Sequence, residues 1–300
     1  MPSQEMDAAL AVLWQRRRSA AEQPPPTLAE IRAGFIPGDA IHPIPDDVVV
    51  TPVSAGGVAA SWLDAPGARQ DRALLFLHGG GFQFGSIRSD GELAARIGRA
   101  SGMRVLFLEY RLAPEHPFPA AIDDVLAAWR WLRSDQHLDA GSLAVAGDSA
   151  GGGLSVALLL ATRDAGEALP AAAVLMSPTV DLTSSGASMS ERVDQDPIST
   201  PELLAGLASD YLAGTDPKEP LASPLFASLD GLPPLLIQVG TADLLLSDAE
   251  RLAAAAKNAG VDVRLEIGDG LPHVYQLLLG TPEAAVATDR IGKFLRERIG

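Results

Sequence analysis

Ser149 sits in the pattern Gly147-x-Ser149-x-Gly151, inside the run Val145–Gly153. A serine hydroxyl in that setting could serve as the nucleophile of acyl transfer. The apolar run Leu143–Ala146 enters the pattern as a buried strand, and the alanine-rich run Leu154–Ala161 leaves it as a helix. A strand that turns at once into a helix packs its two arms closely. The positions two before and two after the turn must therefore be small, and the strained turn residue stands clear of the sheet. The helix that starts there aims free N–H groups and the positive end of its dipole at the same spot. The same glycines could mark an ordinary strand–helix turn. A phosphate loop is excluded, because the lysine and hydroxyl residue of G-x-x-x-x-G-K-[ST] are missing.

A serine nucleophile needs a base and an acid, in the chain order Ser, acid, His on this kind of fold. Of the histidines His42, His78, His116, His137 and His273, only His273 follows Ser149. It lies in a loop after the last expected strand, where a general base can hang over the serine. An ordinary loop histidine would look the same in isolation. Asp243 follows the expected strand Leu235–Val239 through Gly240–Ala242 and is favoured as the acid that orients the imidazole. Asp248 competes but reads as a helix start, and Asp269 competes on the histidine loop itself. His78–Gly79–Gly80–Gly81 follows another buried strand. Its glycines let backbone N–H groups approach a ligand, so Gly80, Gly81 and Ala150 are the candidate oxyanion donors. Donors of this kind are worth about 3–4 kcal/mol each to the transition state. A dinucleotide loop does not fit, since Phe84 stands where G-x-G-x-x-G needs glycine. His78 reads as a brace for the loop.

The elements that must carry these residues alternate. Strands are expected at Ala73–Leu77, Val105–Leu108, Leu143–Ala146, Ala172–Met176, Leu235–Val239 and Val263–Ile267. Helices are expected around Leu93–Ser101, Asp123–Leu132, Leu154–Ala161, Asp248–Ala259 and Pro282–Ile299. This is the signature of an α/β fold with a mainly parallel central sheet and helices on both faces. A hairpin, Val48–Val53 with Val58–Leu63, precedes it. The organisation reads as N-terminal cap helices over 1–45, a first core part over 46–183, a cap insertion over 184–220 and a second core part over 221–300. Met6, Leu10, Leu13 and Trp14 share one helical face; Thr27 and Glu30 form a capping box for a second short helix. Arg16–Arg18 reads as a solvated helix end.

Net charge is −15, which argues against a nucleic-acid surface. The chain has no cysteine, which excludes disulfides and thiol catalysis and fits a reducing compartment. No apolar run is long enough to span a membrane, and the start lacks the pattern of a signal peptide. The expectation is a cytoplasmic protein without membrane or nucleic-acid partners.

Taken together, His78–Gly81, Tyr110–Glu115, Gly147–Gly152, Asp243 and His273 make the chain resemble the hormone-sensitive lipase-like esterases, bacterial family IV, in the subgroup with Gly-Asp-Ser-Ala-Gly. The resemblance implies an α/β-hydrolase fold with a small helical cap. It also implies a serine carboxylesterase acting on short- to medium-chain carboxylic esters through an acyl-enzyme intermediate, with no metal or cofactor. The stretch Leu271–Leu277 is also similar to lactone hydrolases of the monoterpene ε-lactone type. The gibberellin receptors, binders that resemble the family, have lost the histidine that is present here. Two positions depart from the family: Glu109 stands where relatives often have Asp, and Leu244 where they often have proline. Trp14, Phe35, Phe82 and Tyr211 are candidate walls of a pocket for a small ester or lactone, and each fits ordinary core equally well. Many relatives pair through the sheet edge, so a homodimer is an expectation. A neutral histidine base implies that activity falls below roughly pH 6.5.

Overall fold

In the computed structural model, residues 2–24, 26–33 and 42–299 are described. Among them, eight strands form one sheet in the order β1-β2-β4-β3-β5-β6-β7-β8. They are β1 (Val49–Ala55), β2 (Val58–Asp64), β3 (Arg69–Leu77), β4 (Met103–Leu108), β5 (Leu143–Asp148), β6 (Ala172–Met176), β7 (Leu235–Ala242) and β8 (Val263–Pro272). β1 and β2 form the expected hairpin, β2 also pairs antiparallel with β4, and every other pairing is parallel.

The parallel strands read as unbroken apolar runs because both of their faces are covered. Side chains alternate across the sheet. Leu74, Phe76, Val105, Phe107, Ala144 and Ala146 pack under α3 (Ile87–Ser101) and α9 (Pro282–Arg298), against Leu93, Ile97, Ile291 and Phe294. Their neighbours Leu75, Leu77, Leu106, Leu108, Leu143 and Val145 pack on the other face. There they meet α4 (Ala120–Ser134), α5 (Ala150–Asp164) and α8 (Leu246–Asn258) through Val125, Trp129, Leu154, Leu158 and Leu252.

The chain outside this sandwich forms α1 (Gln4–Ala21), α2 (Leu28–Arg32), α6 (Ser188–Glu191) and α7 (Pro201–Leu212). Ser3 caps α1, and Thr27 with Glu30 closes the expected capping box on α2. Met6 is fully buried against Leu271, Tyr275 and Ala287, so α1 is fastened to the end of β8 and to α9. No helix among the described residues is long and apolar enough to cross a membrane.

Two expectations need correction. β8 runs on to Pro272 rather than ending at Ile267, because Ala242 pairs with Pro272 and Thr241 Oγ1 accepts the Gly270 N–H at 2.7 Å. His273 is thus the first residue beyond a strand. Nor is Arg16–Arg18 simply a solvated end: the Arg17 guanidinium donates to the backbone carbonyls of Asp196, Ser199 (2.9 Å) and Val193 (3.4 Å). The signal in the sequence was a favourable charge at a helix end. The partners lie about 180 residues away, beyond any local pattern.

At the centre, α5 crosses the ends of β5 and β3 with no room between backbones. A Cβ on Gly151 would stand 1.9 Å from the Leu77 carbonyl oxygen and 2.5 Å from that of His78. Alanine would gain about 1 kcal/mol in helix propensity, but the overlap is with backbone and cannot be relieved by a rotamer. Gly151→Ala is therefore expected to destabilise the fold by about 2 kcal/mol or more, measured as a lowered midpoint of chemical or thermal unfolding. Wild-type stability would contradict the crossing described.

Candidate active site

Ser149 is the hinge between β5 and α5. Its φ of 51° and ψ of −118° put a non-glycine residue in a conformation that costs about 1–3 kcal/mol. The backbone is held there from several sides. The Ser149 N–H donates to the Met176 carbonyl at 2.8 Å, and the Ser149 carbonyl accepts from Thr179 at 2.9 Å and Gly153 at 3.2 Å. A Cβ on Gly147 would stand 2.2 Å from the Gly151 carbonyl oxygen, which is why both flanking positions are glycine.

The Ser149 hydroxyl lies 3.0 Å from His273 Nε2. His273 Nδ1 lies 3.1 Å from each carboxylate oxygen of Asp243. With Nδ1 carrying its proton toward the carboxylate, Nε2 is free to accept the serine proton. Asp243 is fully buried, and its Oδ1 also accepts the Leu245 N–H at 2.8 Å. The histidine's own backbone is fixed next door: the Val274 N–H donates to Ser177 Oγ at 3.1 Å, and Ser177 in turn donates its N–H to Gln238 at 2.7 Å. Burial alone would lower the His273 pKa. The charge of Asp243 and its hydrogen bond, then the charges of Asp196 and Asp148, outweigh burial and push it up to about 9.

Gly79–Gly81 runs beside the serine. A Cβ on Gly79 would meet Asp148 Oδ2 at 2.2 Å and the Ser149 Cβ at 3.2 Å. Gly80 has φ of 103°, and its carbonyl accepts from Gln83 and Phe84 at 3.0 and 3.1 Å, which folds the loop into a tight turn. Ala150 opens α5 directly after Ser149. The loop rests on His78, whose ring stacks on Tyr110 with centroids 4.2 Å apart and whose Nδ1 meets the Gly79 carbonyl at 2.7 Å. Tyr110 donates its hydroxyl proton to the His78 carbonyl at 2.7 Å. Burial lowers the His78 pKa to about 4, so this ring is neutral. Glu109 accepts the Ile87 N–H at 2.9 Å, a local contact at the start of α3.

Asp248 does not face the histidine. Its Oδ2 accepts the Val180 and Asp181 N–H groups at 2.9 and 3.0 Å, and burial raises its pKa to about 7. The four aromatic candidates separate. Phe82 and Tyr211 are both nearly fully buried and stack on each other at 3.8 Å, so each presents one face to the other rather than to a ligand. Trp14 is half-buried on α1, its ring 5.5 Å from the Arg17 guanidinium. Phe35 lies outside the described residues. Above the glycine loop stands Leu207 of α7: a Cβ on Gly81 would come within 2.5 Å of its side chain.

Three groups near the site escaped the sequence reading. Arg32 of α2 donates to the carbonyls of Gln83 and Ala113, both at 2.7 Å, and pairs with both oxygens of Glu115 at 2.7 and 2.8 Å. It thereby ties an N-terminal helix to the glycine loop. Arg17 does the same for the segment 193–199. The third is Asp196, fully buried in that segment, whose Oδ1 accepts the N–H groups of Ile198 and Ser199. An aspartate two residues ahead of the chain it caps was the available signal.

Residues 74–277 match the family model described as an alpha/beta hydrolase fold. An acetyl-hydrolase of Streptomyces hygroscopicus is 45% identical over 291 residues, covering 96% of this chain and 93% of that one. An esterase of Acinetobacter venetianus is 33% identical over 249 residues, covering 82% of each. Among solved structures, an esterase from the bacterial hormone-sensitive lipase family superposes with a TM-score of 0.94 at 45% identity over 100% of both chains. EstE5, in crystals soaked with p-nitrophenyl butyrate, superposes with a TM-score of 0.92 at 42% identity over 99% of both chains. With this fold, this serine between two glycines and these relatives, the chain belongs to the bacterial hormone-sensitive lipase family of α/β-hydrolase-fold carboxylesterases.

Proposed function

We propose that Ser149, His273 and Asp243 carry out the ester hydrolysis of this carboxylesterase. The observation behind this is the continuous path from Ser149 Oγ through His273 to the buried Asp243 carboxylate, at 3.0 and 3.1 Å. His273 takes the serine proton as Oγ attacks the ester carbonyl. The N–H groups of Gly80, Gly81 and Ala150 receive the developing oxyanion. His273 then protonates the leaving alcohol, and a water activated by the same imidazole releases the acid from the acyl-enzyme. Asp243 keeps Nδ1 protonated and stabilises the imidazolium of both steps.

The substrate side is proposed as short-chain esters. Leu207 of α7 stands over Gly81, and Arg32 of α2 bonds the Gln83 carbonyl just past the glycine loop, which supports a cap made of the N-terminal helices and the insertion 184–220. The acetyl-hydrolase and esterase names of the relatives point to the same class rather than to lactones. A homodimer through β8 is part of the proposal: this strand is the sheet edge, and Ile267 on it and Val286 on α9 are 44% and 46% exposed. The absence of cysteine fits work in the cytoplasm.

Purified wild type is expected to hydrolyse p-nitrophenyl butyrate, and Ser149→Ala to lose roughly 10⁴-fold or more in kcat. Retained activity in that variant would remove Ser149 from the mechanism. Wild type should cleave the butyrate ester faster than the palmitate ester, and the reverse ratio would overturn the short-chain reading. The pH profile carries a further expectation. Only the neutral imidazole accepts a proton, so raising its pKa moves the acid limb of kcat/KM to higher pH. The midpoint of that limb is expected above 6.5, toward about 9. A midpoint at or below 6.5 would show that the surrounding carboxylates do not act on the base.

A further inference from the structure

We infer that Asp196, contributed by the segment 184–220, is a positioning residue for the acid–base pair: its buried carboxylate holds the loop that bears Asp243. The inference rests on the roles proposed for His273 and Asp243. Asp196 is fully buried. Its Oδ1 accepts the Ile198 and Ser199 N–H groups at 2.7 and 2.8 Å, and its Oδ2 accepts the Leu244 N–H at 3.0 Å. Three N–H donors on two oxygens fit an ionised carboxylate. The last of these donors is the residue directly after Asp243. One buried carboxylate thus fixes the backbone that presents another.

That bond depends on a feature of this chain. Leu244 stands where the resembling family often has proline, and a proline has no N–H to give. Asp196 is itself clamped from behind, since Arg17 of α1 donates to the carbonyls of Asp196 and Ser199. A route of hydrogen bonds therefore runs from α1 through Asp196 and Leu244 to Asp243, His273 and Ser149.

The charged groups acting on the imidazole are Asp243 after β7, Asp148 at the end of β5 and Asp196 from the insertion. Those acting on Asp196 are Asp243 and His273, with the Arg17 guanidinium on its carbonyl. Burial and the Asp243 charge raise the Asp196 pKa, opposed by His273 and by its backbone hydrogen bonds. The second carboxylate favours the imidazolium that forms when serine attacks.

The test compares wild type, Asp243→Asn, Asp196→Asn, Asp196→Ser and Asp196→Glu in p-nitrophenyl butyrate hydrolysis across pH, with unfolding midpoints for each. Asp243→Asn should be nearly inactive; full activity there would overturn the acid assignment and this inference with it. Given that loss, Asp196→Asn should reduce kcat about tenfold or more. It should also shift the acid limb of kcat/KM downward by at least about half a pH unit. Asp196→Ser gives the same reading from a smaller neutral side chain should the asparagine variant not fold. Asp196→Glu should return the limb to its wild-type position, because the charge is restored. A residue that merely supports the fold would change the unfolding midpoint and leave the limb where it is. An unmoved limb in a folded neutral variant therefore overturns the inference while leaving the serine mechanism standing.

Discussion

The structure depends on one close crossing, where α5 leaves β5 over the end of β3. Gly147 and Gly151 remove the side chains that would keep these backbones apart, and the Leu77 carbonyl sits where a Gly151 Cβ would be. That crossing forces Ser149 into its unfavourable backbone angles and brings Gly79 against it. The positions of Ser149 and of the glycine loop are thus set by a single packing constraint. The cost of the strained turn is met by the buried sheet around it, where Leu74–Leu77 and Leu143–Ala146 are wholly withdrawn from solvent on both faces. An interior packed to this density leaves the serine few alternative positions.

Much of this was legible in the sequence because it is local. The strand–turn–helix pattern around Ser149, the glycines after His78 and the alternation of elements each occupy a few consecutive residues. The position of His273 followed from chain order, and Asp243 from its place just past a strand. What was not legible is long-range recognition of backbone carbonyls. Arg17 and Arg32 look like ordinary helix-end cations, yet their guanidinium groups close on carbonyls of segments that pattern cannot pair with them. A carbonyl is present at every residue, so no composition marks the one that an arginine will select. Asp196 is hidden for the same reason, since its partners are main-chain N–H groups. The aromatic candidates raise a different difficulty. Phe82 and Tyr211 are large aromatics, which fits a pocket wall or a core equally, and their mutual stacking is a long-range pairing that no local pattern marks.

The two arginines give the N-terminal helices a physical task of their own. α1 grips the insertion through Arg17 and the end of β8 through Met6, while α2 grips the glycine loop through Arg32. Both arginine contacts are multidentate, a geometry that a guanidinium offers and an ammonium does not. The exposed ends of these pairs are worth little as ion pairs: Glu115 is more than half exposed, and screening weakens its charge. Their effect is geometric, because several carbonyls are held to one planar group. The glycine loop and the segment 193–199 gain more from that rigidity than from net charge attraction.

Charge does act at the imidazole itself. The charges of Asp243, Asp196 and Asp148 act on His273, whose side chain is only 11% exposed. Such an arrangement pulls two ways. It reduces the fraction of neutral base available at neutral pH, since the carboxylates hold the proton. It also stabilises the imidazolium formed when a neutral His273 takes a proton, a charge created inside a poorly solvated site. A stronger base takes a proton more readily, whereas the neutral fraction lost to protonation is recovered by raising the pH. Asp148 contributes less, because burial and the Asp90 charge push its own carboxyl toward the neutral form.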